Sequence, residues 1–510
     1  MERLPLVSRS LRPIIILACL AWVSSCALPD GLRVAGTMLL DRRRLLAMPE
    51  AGVTDVSRLH VEHKPRRVLK LSSDMDKAVI ELRELLQQAR LERRHVSIAG
   101  ARHSMGGQTL VGEGSLAVDM LGLDSIRPVV ERPRAPGRRW VTVGAGARWK
   151  DIIPELRKQG YAPKVMQSNS DFSVGGSLSV NCHGWQHNSE PIASTVDSIT
   201  MMTADGTVRR CSRRKNPELF SLALGGYGLF GIILEATLEV VPDKPYLAKA
   251  RHVKPAEYLS AFDSMTGGSS DGMAYGRIST APRSFLTEAM VAVLEPVAIP
   301  EKAGPSWLPD SWISGVKRSV FRSAVGSKRG KNFRWSLEKR YGETGGLVQF
   351  RSDILSEPAA LYGNRDPGAT EVLHEYFIPK DQLASFLDKM RGIHEAQACP
   401  DLLNITVRNV KTDRTTRMCY AREEVFGLVM LFHQRRESAA QEEQMIHYTR
   451  QLVDAALACG GTYYLPYRLH ARLDQFEKAY PMARQVFTLK RRYDPHELFQ
   501  NQLYIQYGRR

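Results

Sequence analysis

The chain has 510 residues, with 71 Lys and Arg against 54 Asp and Glu and a formal net charge of +17. Hydrophobic residues make up 43% and charged residues 25%, which is ordinary for a folded globular protein and excludes collagen, general disorder and a polytopic membrane protein. At about 100–200 residues per domain, this length predicts two or three domains. The seven cysteines contain no CxxC pair, so neither a zinc ribbon nor a disulfide scaffold is indicated.

The N-terminus has the pattern of a targeting segment. Three arginines precede an apolar run from Ile14 to Val23, which has signal-peptide length and is too short to span a membrane alone. Cys26 ends a sequence typical of a bacterial lipoprotein signal, whereas the arginines that follow it oppose export. We expect residues 1–30 to be a signal peptide, a lipoprotein signal or an anchor that gives membrane association, on the periplasmic or the cytoplasmic side. A later true start, at Met38 or Met48, is the alternative.

The body of the chain mixes helices and strands. Apolar residues at helical spacing from Met75 to Ala89 predict a helix capped by Ser73. Short strands and a hairpin turn at Ala204-Asp205-Gly206 follow, and beyond Pro242 long helices alternate with strands. The predicted strands include Val96–Ile98, Leu116–Val118, Val141–Val143, Leu403–Val410 and Phe426–His433, and the predicted long helices are Gln382–Gln397 and Glu442–Cys459. This mixture predicts an α+β fold rather than a series of regular βαβ units.

A strongly basic stretch lies between Lys317 and Arg340. It holds nine Lys and Arg residues with only Glu338 among them, and aromatic residues interleave with the charges. We expect either a solvated basic loop or a surface that contacts an anionic membrane. No nucleic-acid-binding motif accompanies the stretch, so nucleic acid is not an expected partner.

Glycine is concentrated in four segments that adjoin apolar strands. These segments are Gly100–Gly107, Gly144–Gly146, Val174–Ser177 and Gly225–Gly231. Glycine allows backbone N–H groups to converge on a phosphate, although each segment taken alone is also explained by a tight turn. A Rossmann nicotinamide site is disfavoured, because Trp149 stands where the third glycine of that motif would be. Four such segments in order favour phosphate binding over turns alone.

Together these segments resemble the FAD-linked oxidases of the vanillyl-alcohol oxidase type, and most closely the aldonolactone and alditol oxidase branch. Val96–Ser104 resembles the pyrophosphate loop of that family, and Gln167–Gly184 resembles its second flavin loop. Val196–Ile232 resembles the segment that closes the flavin domain, and Tyr493–Asn501 resembles the C-terminal closing motif. Residues 250–365 match little of the family.

The resemblance implies an α+β fold with a particular domain order. A linker at 31–54 leads to a two-subdomain PCMH-type FAD-binding domain in residues 55–245. An α+β substrate or cap domain with an antiparallel sheet follows in residues 246–462. The segment 463–510 returns to the FAD-binding domain.

The resemblance also implies FAD as the cofactor, joined through its 8α carbon to His103, with noncovalent FAD as the alternative. No metal site is expected. The implied cofactor-binding residues are Gly100, Ala101, Arg102, His103, Ser104, Met105, Gly106, Ser173, Gly175, Gly176, Ser177, Asn181, His183, Gly228, Gly231, Ile232 and Asn501.

Three residues are candidates for the chemistry. Arg408 matches the arginine of an acid-x-arginine strand in the family, where it would bind the substrate oxygen or stabilise charge at the reduced flavin. Thr406 stands in place of the acid of that pattern, and Tyr467 stands where related enzymes often carry a lysine. His433, at the end of an apolar strand, is a candidate base by its chemistry alone, with a hydrogen-bonded strand-end histidine as the alternative.

The function implied is oxidation of a CH–OH group of a small sugar, polyol or aldonolactone-like substrate by hydride transfer to flavin N5. Oxygen or a membrane electron acceptor would then take the electrons. Three alternatives stay open: an FAD dehydrogenase that reduces a quinone or cytochrome, a flavin reductase of a prenyl or sterol alkene, and a membrane-bound interaction protein with a vestigial flavin fold.

Overall fold

A computed structural model of the protein describes residues 28–43, 54–60, 65–132, 135–267, 271–298, 310–343, 348–357 and 363–509. The strands are β1 Arg67–Lys70, β2 Val96–Ala99, β3 Leu116–Asp119, β4 Val130–Arg132, β5 Ala135–Gly144, β6 Tyr161–Pro163, β7 Val196–Met202, β8 Val208–Ser212, β9 Ile232–Pro242, β10 Pro245–Val253, β11 Met273–Ile278, β12 Ala289–Pro296, β13 Gln349–Phe350, β14 Ala369–Pro379, β15 Asp401–Val410, β16 Val425–Arg435 and β17 Thr462–Tyr463. The helices are α1 Leu28–Arg43, α2 Met75–Leu91, α3 Trp149–Lys158, α4 Val174–Ser179, α5 Pro217–Ala223, α6 Tyr258–Thr266, α7 Asp310–Ser323, α8 Lys328–Glu343, α9 Arg351–Leu355, α10 Leu383–Ala396, α11 Ala439–Ala458, α12 Leu473–Ala479, α13 Ala483–Tyr493 and α14 Gln502–Tyr507.

The first layer is a small parallel sheet in the order β1-β3-β2. Helix α2 buries Leu82, Leu85 and Leu86 in the hydrophobic core that also contains side chains of this sheet, as the periodicity of the helix predicts. Its N-cap is Asp74 rather than the predicted Ser73, because the Asp74 carboxylate accepts the Lys77 backbone N–H at 2.9 Å. The sheet is extended at β2 by residue Phe499 from the C-terminal tail, which pairs in parallel with Val96.

The second layer is an antiparallel sheet in the order β4-β5-β9-β7-β8, with β6 paired to β9. The hairpin β7–β8 turns at the predicted residues, where Gly206 adopts φ +81°. The chain then leaves this sheet at Pro242, the end of β9, and enters the third sheet at Pro245, the start of β10.

The third layer is an eight-stranded antiparallel sheet in the order β13-β10-β12-β11-β15-β16-β14-β17. The predicted strands Leu403–Val410 and Phe426–His433 are the neighbouring inner strands β15 and β16 of this sheet. The predicted helices are α10 and α11, and α11 begins three residues before the predicted Glu442 because Ser438 caps it. These sheets and helices confirm the predicted α+β fold. We call the third sheet with its helices the cap.

The basic stretch is helical, so the prediction of a solvated loop is wrong. Its residues form α7 and α8, and Phe321 and Trp335 are buried. Much of its positive charge is neutralised within the protein. The ion pairs are Arg322–Glu371, Arg329–Asp30, Lys331–Asp401, Arg334–Glu338 and Lys339–Glu288. Contact with a membrane remains a prediction.

Helix α1 packs on these two helices. Arg33 donates to the Ser323 carbonyl at 3.0 Å, and Asp30 pairs with Arg329 at 3.1 Å. The predicted targeting run and Cys26 fall in residues 1–27, outside the described residues. Within the described ranges, no helix has the length and apolar character needed to cross a membrane, and no cluster of His, Cys, Asp and Glu residues is arranged to hold a metal.

Candidate active site

The loop that follows β2 packs tightly against two other segments. A side chain at Gly100 would collide with the Ser173 hydroxyl, and a side chain at Gly106 would collide with the Tyr467 carbonyl. The Met105 N–H donates to the Pro466 carbonyl at 2.8 Å. The two predicted flavin loops and the segment carrying Tyr467 therefore meet at one place.

The second predicted loop contains the short helix α4. Gly175 donates its N–H to the Ala145 carbonyl at 2.8 Å, and Gly176 lies beside the Ser173 side chain. Ser177 is fully buried, and its hydroxyl accepts from Trp149 Nε1 and contacts Gln167, both at 2.9 Å. Ser177 thus holds α4 in place through hydrogen bonds with Trp149 and Gln167.

Several other predicted cofactor-binding residues hold the domain together. Asn181 has φ +51° and donates to the Asp413 carboxylate at 2.9 Å. Asn501 caps α14 and donates to the Tyr227 carbonyl at 2.8 Å, one residue before Gly228. Gly231 and Ile232 form the buried entry to β9. Their predicted contacts with FAD remain predictions.

A buried carboxylate links the second loop to the cap. Glu375 on β14 lies with its Oε1 atom 2.7 Å from Nε2 of His183, and both side chains are almost completely buried. The Tyr467 hydroxyl donates to the other oxygen of Glu375 at 3.2 Å. Burial and the neighbouring Glu375 raise the pKa of Tyr467 well above its usual value, so this hydroxyl stays protonated.

Arg408 completes this group from β15. Its guanidinium donates to the Ser168 hydroxyl at 2.8 Å and to the His183 carbonyl at 3.3 Å. Arg408 and Tyr467, two of the three predicted catalytic residues, are therefore brought together around Glu375. We call Arg408, Glu375, Tyr467 and His183 the Glu375 cluster.

The strand register places Glu375 and Arg408 on one face of the cap sheet. Thr406 and Glu375 both lie opposite Val429, so the three side chains form a row across β15, β16 and β14. Arg277 on β11 extends the row and donates to the Thr406 hydroxyl at 3.0 Å. Arg408 lies on the same face, because it is two residues from Thr406 on one strand.

Residues 77–212 match a protein family described as an FAD binding domain. The chain contains an FAD-binding domain. The match covers the helix α2, both flavin loops and the hairpin β7–β8.

Several relatives are similar to a part of the chain. L-gulonolactone oxidase of Mus musculus is 30% identical over 187 residues, which are 37% of this chain and 41% of the relative. D-arabinono-1,4-lactone oxidase of Yarrowia lipolytica is 32% identical over 166 residues, which are 32% and 31% of the two chains. Cytokinin dehydrogenase 5 of Arabidopsis thaliana is 34% identical over 150 residues, 29% and 27% of the two chains. The alignments thus span about two fifths or less of these relatives.

The residues of the FAD-binding domain fit the cofactor. In the described part of the chain, Arg102 Nη1 and Ser104 Oγ are buried without a hydrogen-bond partner. Burial lowers the pKa of Arg102, so a nearby anion would stabilise its charge. Two unpaired donors in a glycine-containing loop are suited to a pyrophosphate.

His103 lies in the same loop. Its ring stacks on Phe172 with centroids 4.3 Å apart and planes inclined by 13°. Burial lowers the pKa of His103, which keeps the imidazole neutral and nucleophilic at neutral pH. Its predicted covalent bond to the flavin remains a prediction.

The structure does not bring His433 to the Glu375 cluster. His433 lies opposite Glu371, four residues before Glu375 on β14, which at about 3.4 Å per residue separates the two positions by about 14 Å. Its Nδ1 atom lies 3.1 Å from Glu371, which also pairs with Arg322 of α7. This matches the alternative of a hydrogen-bonded histidine at a strand end.

Glu375 was missed by the sequence analysis. The signal available was an acidic residue directly before an apolar run, Tyr376 to Pro379, which is similar to the signal that singled out Arg408. Its partner His183 lies 192 positions earlier, so only the fold joins them.

Proposed function

We propose that the protein is an FAD-dependent oxidoreductase that oxidises a CH–OH group of a sugar, polyol or aldonolactone-like substrate. The observation that carries this proposal is the buried carboxylate of Glu375, held between His183 of a flavin loop and Tyr467, with Arg408 beside them. The relatives named L-gulonolactone oxidase and D-arabinono-1,4-lactone oxidase support the substrate class.

FAD, when bound, supplies the two-electron acceptor, so that the substrate C–H leaves as a hydride to flavin N5 and the hydroxyl proton goes to a base. In this proposal Glu375 accepts that proton. Its Oε1 atom lies 2.7 Å from Nε2 of His183, while its other oxygen accepts the hydrogen bond of Tyr467. A carboxylate fixed in this way is oriented before the substrate arrives.

Arg408 and Tyr467 orient the reacting oxygen. The Nε atom of Arg408 is buried and has no partner within the described residues, which leaves one donor for a substrate oxygen as negative charge develops there. Tyr467 remains protonated and donates its one O–H to Glu375, so its oxygen can accept a hydrogen bond from the substrate hydroxyl without adding a fixed charge. His183 keeps Glu375 in place from the side of the FAD-binding domain.

The test is anaerobic mixing of the FAD-loaded full-length protein with L-gulonolactone or D-arabinono-1,4-lactone, followed by the visible absorbance of the flavin. We expect Glu375→Gln to slow reduction by about 10²–10⁴-fold, the range for loss of a general base. The matched control is Glu371→Gln on the same strand and face, which should keep the rate. Equal rates in Glu375→Gln and the parent would refute the assignment of the base.

The same mixing experiment separates the possible electron acceptors. Reoxidation by dissolved oxygen supports an oxidase, whereas reoxidation only by an added quinone or cytochrome supports a dehydrogenase. Both kinds of name occur among the relatives. Bound flavin that no sugar, polyol or lactone reduces would contradict the proposed substrate class.

A further inference from the structure

Trp185 lies two residues beyond His183 and reaches the cap sheet. Its carbonyl accepts the Ala274 N–H of β11 at 2.7 Å. Its indole stacks on Tyr275, with ring centroids 4.9 Å apart and planes inclined by 30°. The flavin loop and the cap therefore present one continuous aromatic surface.

The aromatic pair of Trp185 and Tyr275 borders the Glu375 cluster. Arg277 lies opposite Thr406, and because side chains alternate along a strand, Tyr275 shares the face of Arg277. That face is the one that carries Arg408 and Glu375. Gly276 faces the other side of the sheet, where a side chain would collide with Tyr258.

Three polar atoms of Trp185, His183 and Arg408 lack a hydrogen-bond partner within the described residues. In the described part of the chain, Trp185 Nε1, His183 Nδ1 and Arg408 Nε are all buried without a hydrogen bond. A buried indole N–H usually finds an acceptor, because leaving one unpaired costs free energy. Unpaired polar atoms next to a flat apolar surface suit a ligand with hydroxyl or carbonyl oxygens on its rim and C–H groups on its face.

We propose that Trp185 is a substrate-binding residue that selects a ring-closed sugar or lactone over an open-chain polyol. This inference rests on the proposed function. The indole packs against the C–H face of the ring, and its N–H donates to a ring substituent oxygen. A closed ring presents both features in one rigid shape, whereas an open chain must lose rotational freedom to do so.

The test measures binding separately from turnover. Trp185 variants are made in the slowly reduced Glu375→Gln full-length protein loaded with FAD. The dissociation constants of L-gulonolactone, D-arabinono-1,4-lactone and the open-chain alditol D-glucitol are measured from the change that each causes in the flavin spectrum.

We expect Trp185→Phe, which keeps a flat ring but removes the N–H, to weaken lactone binding about tenfold. Trp185→Ala should weaken it about 100-fold, since it also removes the stacking surface. Both variants should change D-glucitol binding little and keep their FAD. The matched control is Trp140→Phe on β5, whose ring is covered by Arg132 and Arg138, and lactone binding there should not change.

The outcomes distinguish this inference from the proposed function. Unchanged lactone affinity in both Trp185 variants, equal affinities of lactones and alditol for the parent, or absence of lactone binding would overturn the inference. Loss of FAD with unchanged lactone affinity would also overturn it and assign Trp185 to the cofactor. Lactone binding that depends on Trp185, without flavin reduction in the protein that retains Glu375, would uphold the inference and refute the proposed reaction.

Discussion

Lys490 and Asp494 form a completely buried ion pair that fastens the C-terminal tail. Both side chains have at most 1% of their area exposed, and the Lys490 ammonium also lies 5.8 Å and 5.6 Å from the ring centroids of Phe499 and Tyr504. The Asp494 carboxylate accepts the backbone N–H groups of Leu498 and Phe499 at 3.0 Å and 2.8 Å. The change to test is Lys490→Met, which keeps the side chain's length and removes its charge.

The expected cost follows from what remains after the substitution. Asp494 keeps its two backbone hydrogen bonds but loses its only buried counter-charge on this helix, and breaking such a pair costs about 3–5 kcal/mol. Removing the carboxylate charge as well, in Lys490→Met with Asp494→Asn, should restore part of this loss. The double variant should therefore have a larger free energy of unfolding than Lys490→Met alone.

The assay is urea unfolding, followed by circular dichroism and by release of FAD. Release of FAD should shift with the structural transition, because Leu498 and Phe499 bind the edge of β2 just before the first flavin loop. A loss below about 1 kcal/mol in Lys490→Met, or a double variant less stable than the single one, would contradict the argument from buried charge.

Three further predictions concern single residues. His103→Ala should release yellow flavin on acid precipitation, whereas the parent protein should keep its colour; release from both would establish noncovalent FAD. Arg408→Ala should slow anaerobic flavin reduction about 10²–10³-fold while FAD stays bound, and normal reduction would exclude Arg408 from the site. Burial and the nearby positive charges lower the pKa of His374 to about 3. Because the unfolded state, with a pKa near 6.5, then binds the proton more tightly, stability is complete above pH 6.5 and falls as pH decreases, by about 2 kcal/mol between pH 7 and pH 5. His374→Gln should flatten this dependence in urea titrations at the two pH values, and an unchanged slope would contradict it.

Local patterns in the sequence were sufficient for much of the fold. The periodicity of α2 and the apolar runs of β15 and β16 are properties of short segments, so they predicted these elements to within a few residues. The glycine segments predicted phosphate binding, and their resemblance to a family of FAD-linked oxidases predicted the FAD-binding domain.

What the sequence could not reveal depends on pairs that are distant along the chain. Glu375 was singled out by its contact with His183. This contact forms only when the cap docks on the FAD-binding domain. Likewise, the charges of α7 and α8 suggested a solvated or membrane-facing stretch because their partners, among them Glu371 and Asp401, lie on remote strands. A basic stretch in a sequence shows charge but not its neutralisation.

The two ends of the described chain set the order in which the molecule can be completed during synthesis. Arg33 of α1 binds a carbonyl 290 residues later in the chain. At about 5–20 residues per second, the ribosome makes that partner about 15–60 s after the helix. The sheet that precedes the first flavin loop waits longer still, because its β2 edge is completed only by Phe499. The cofactor domain, although encoded early, therefore reaches its final form only when the tail has left the ribosome.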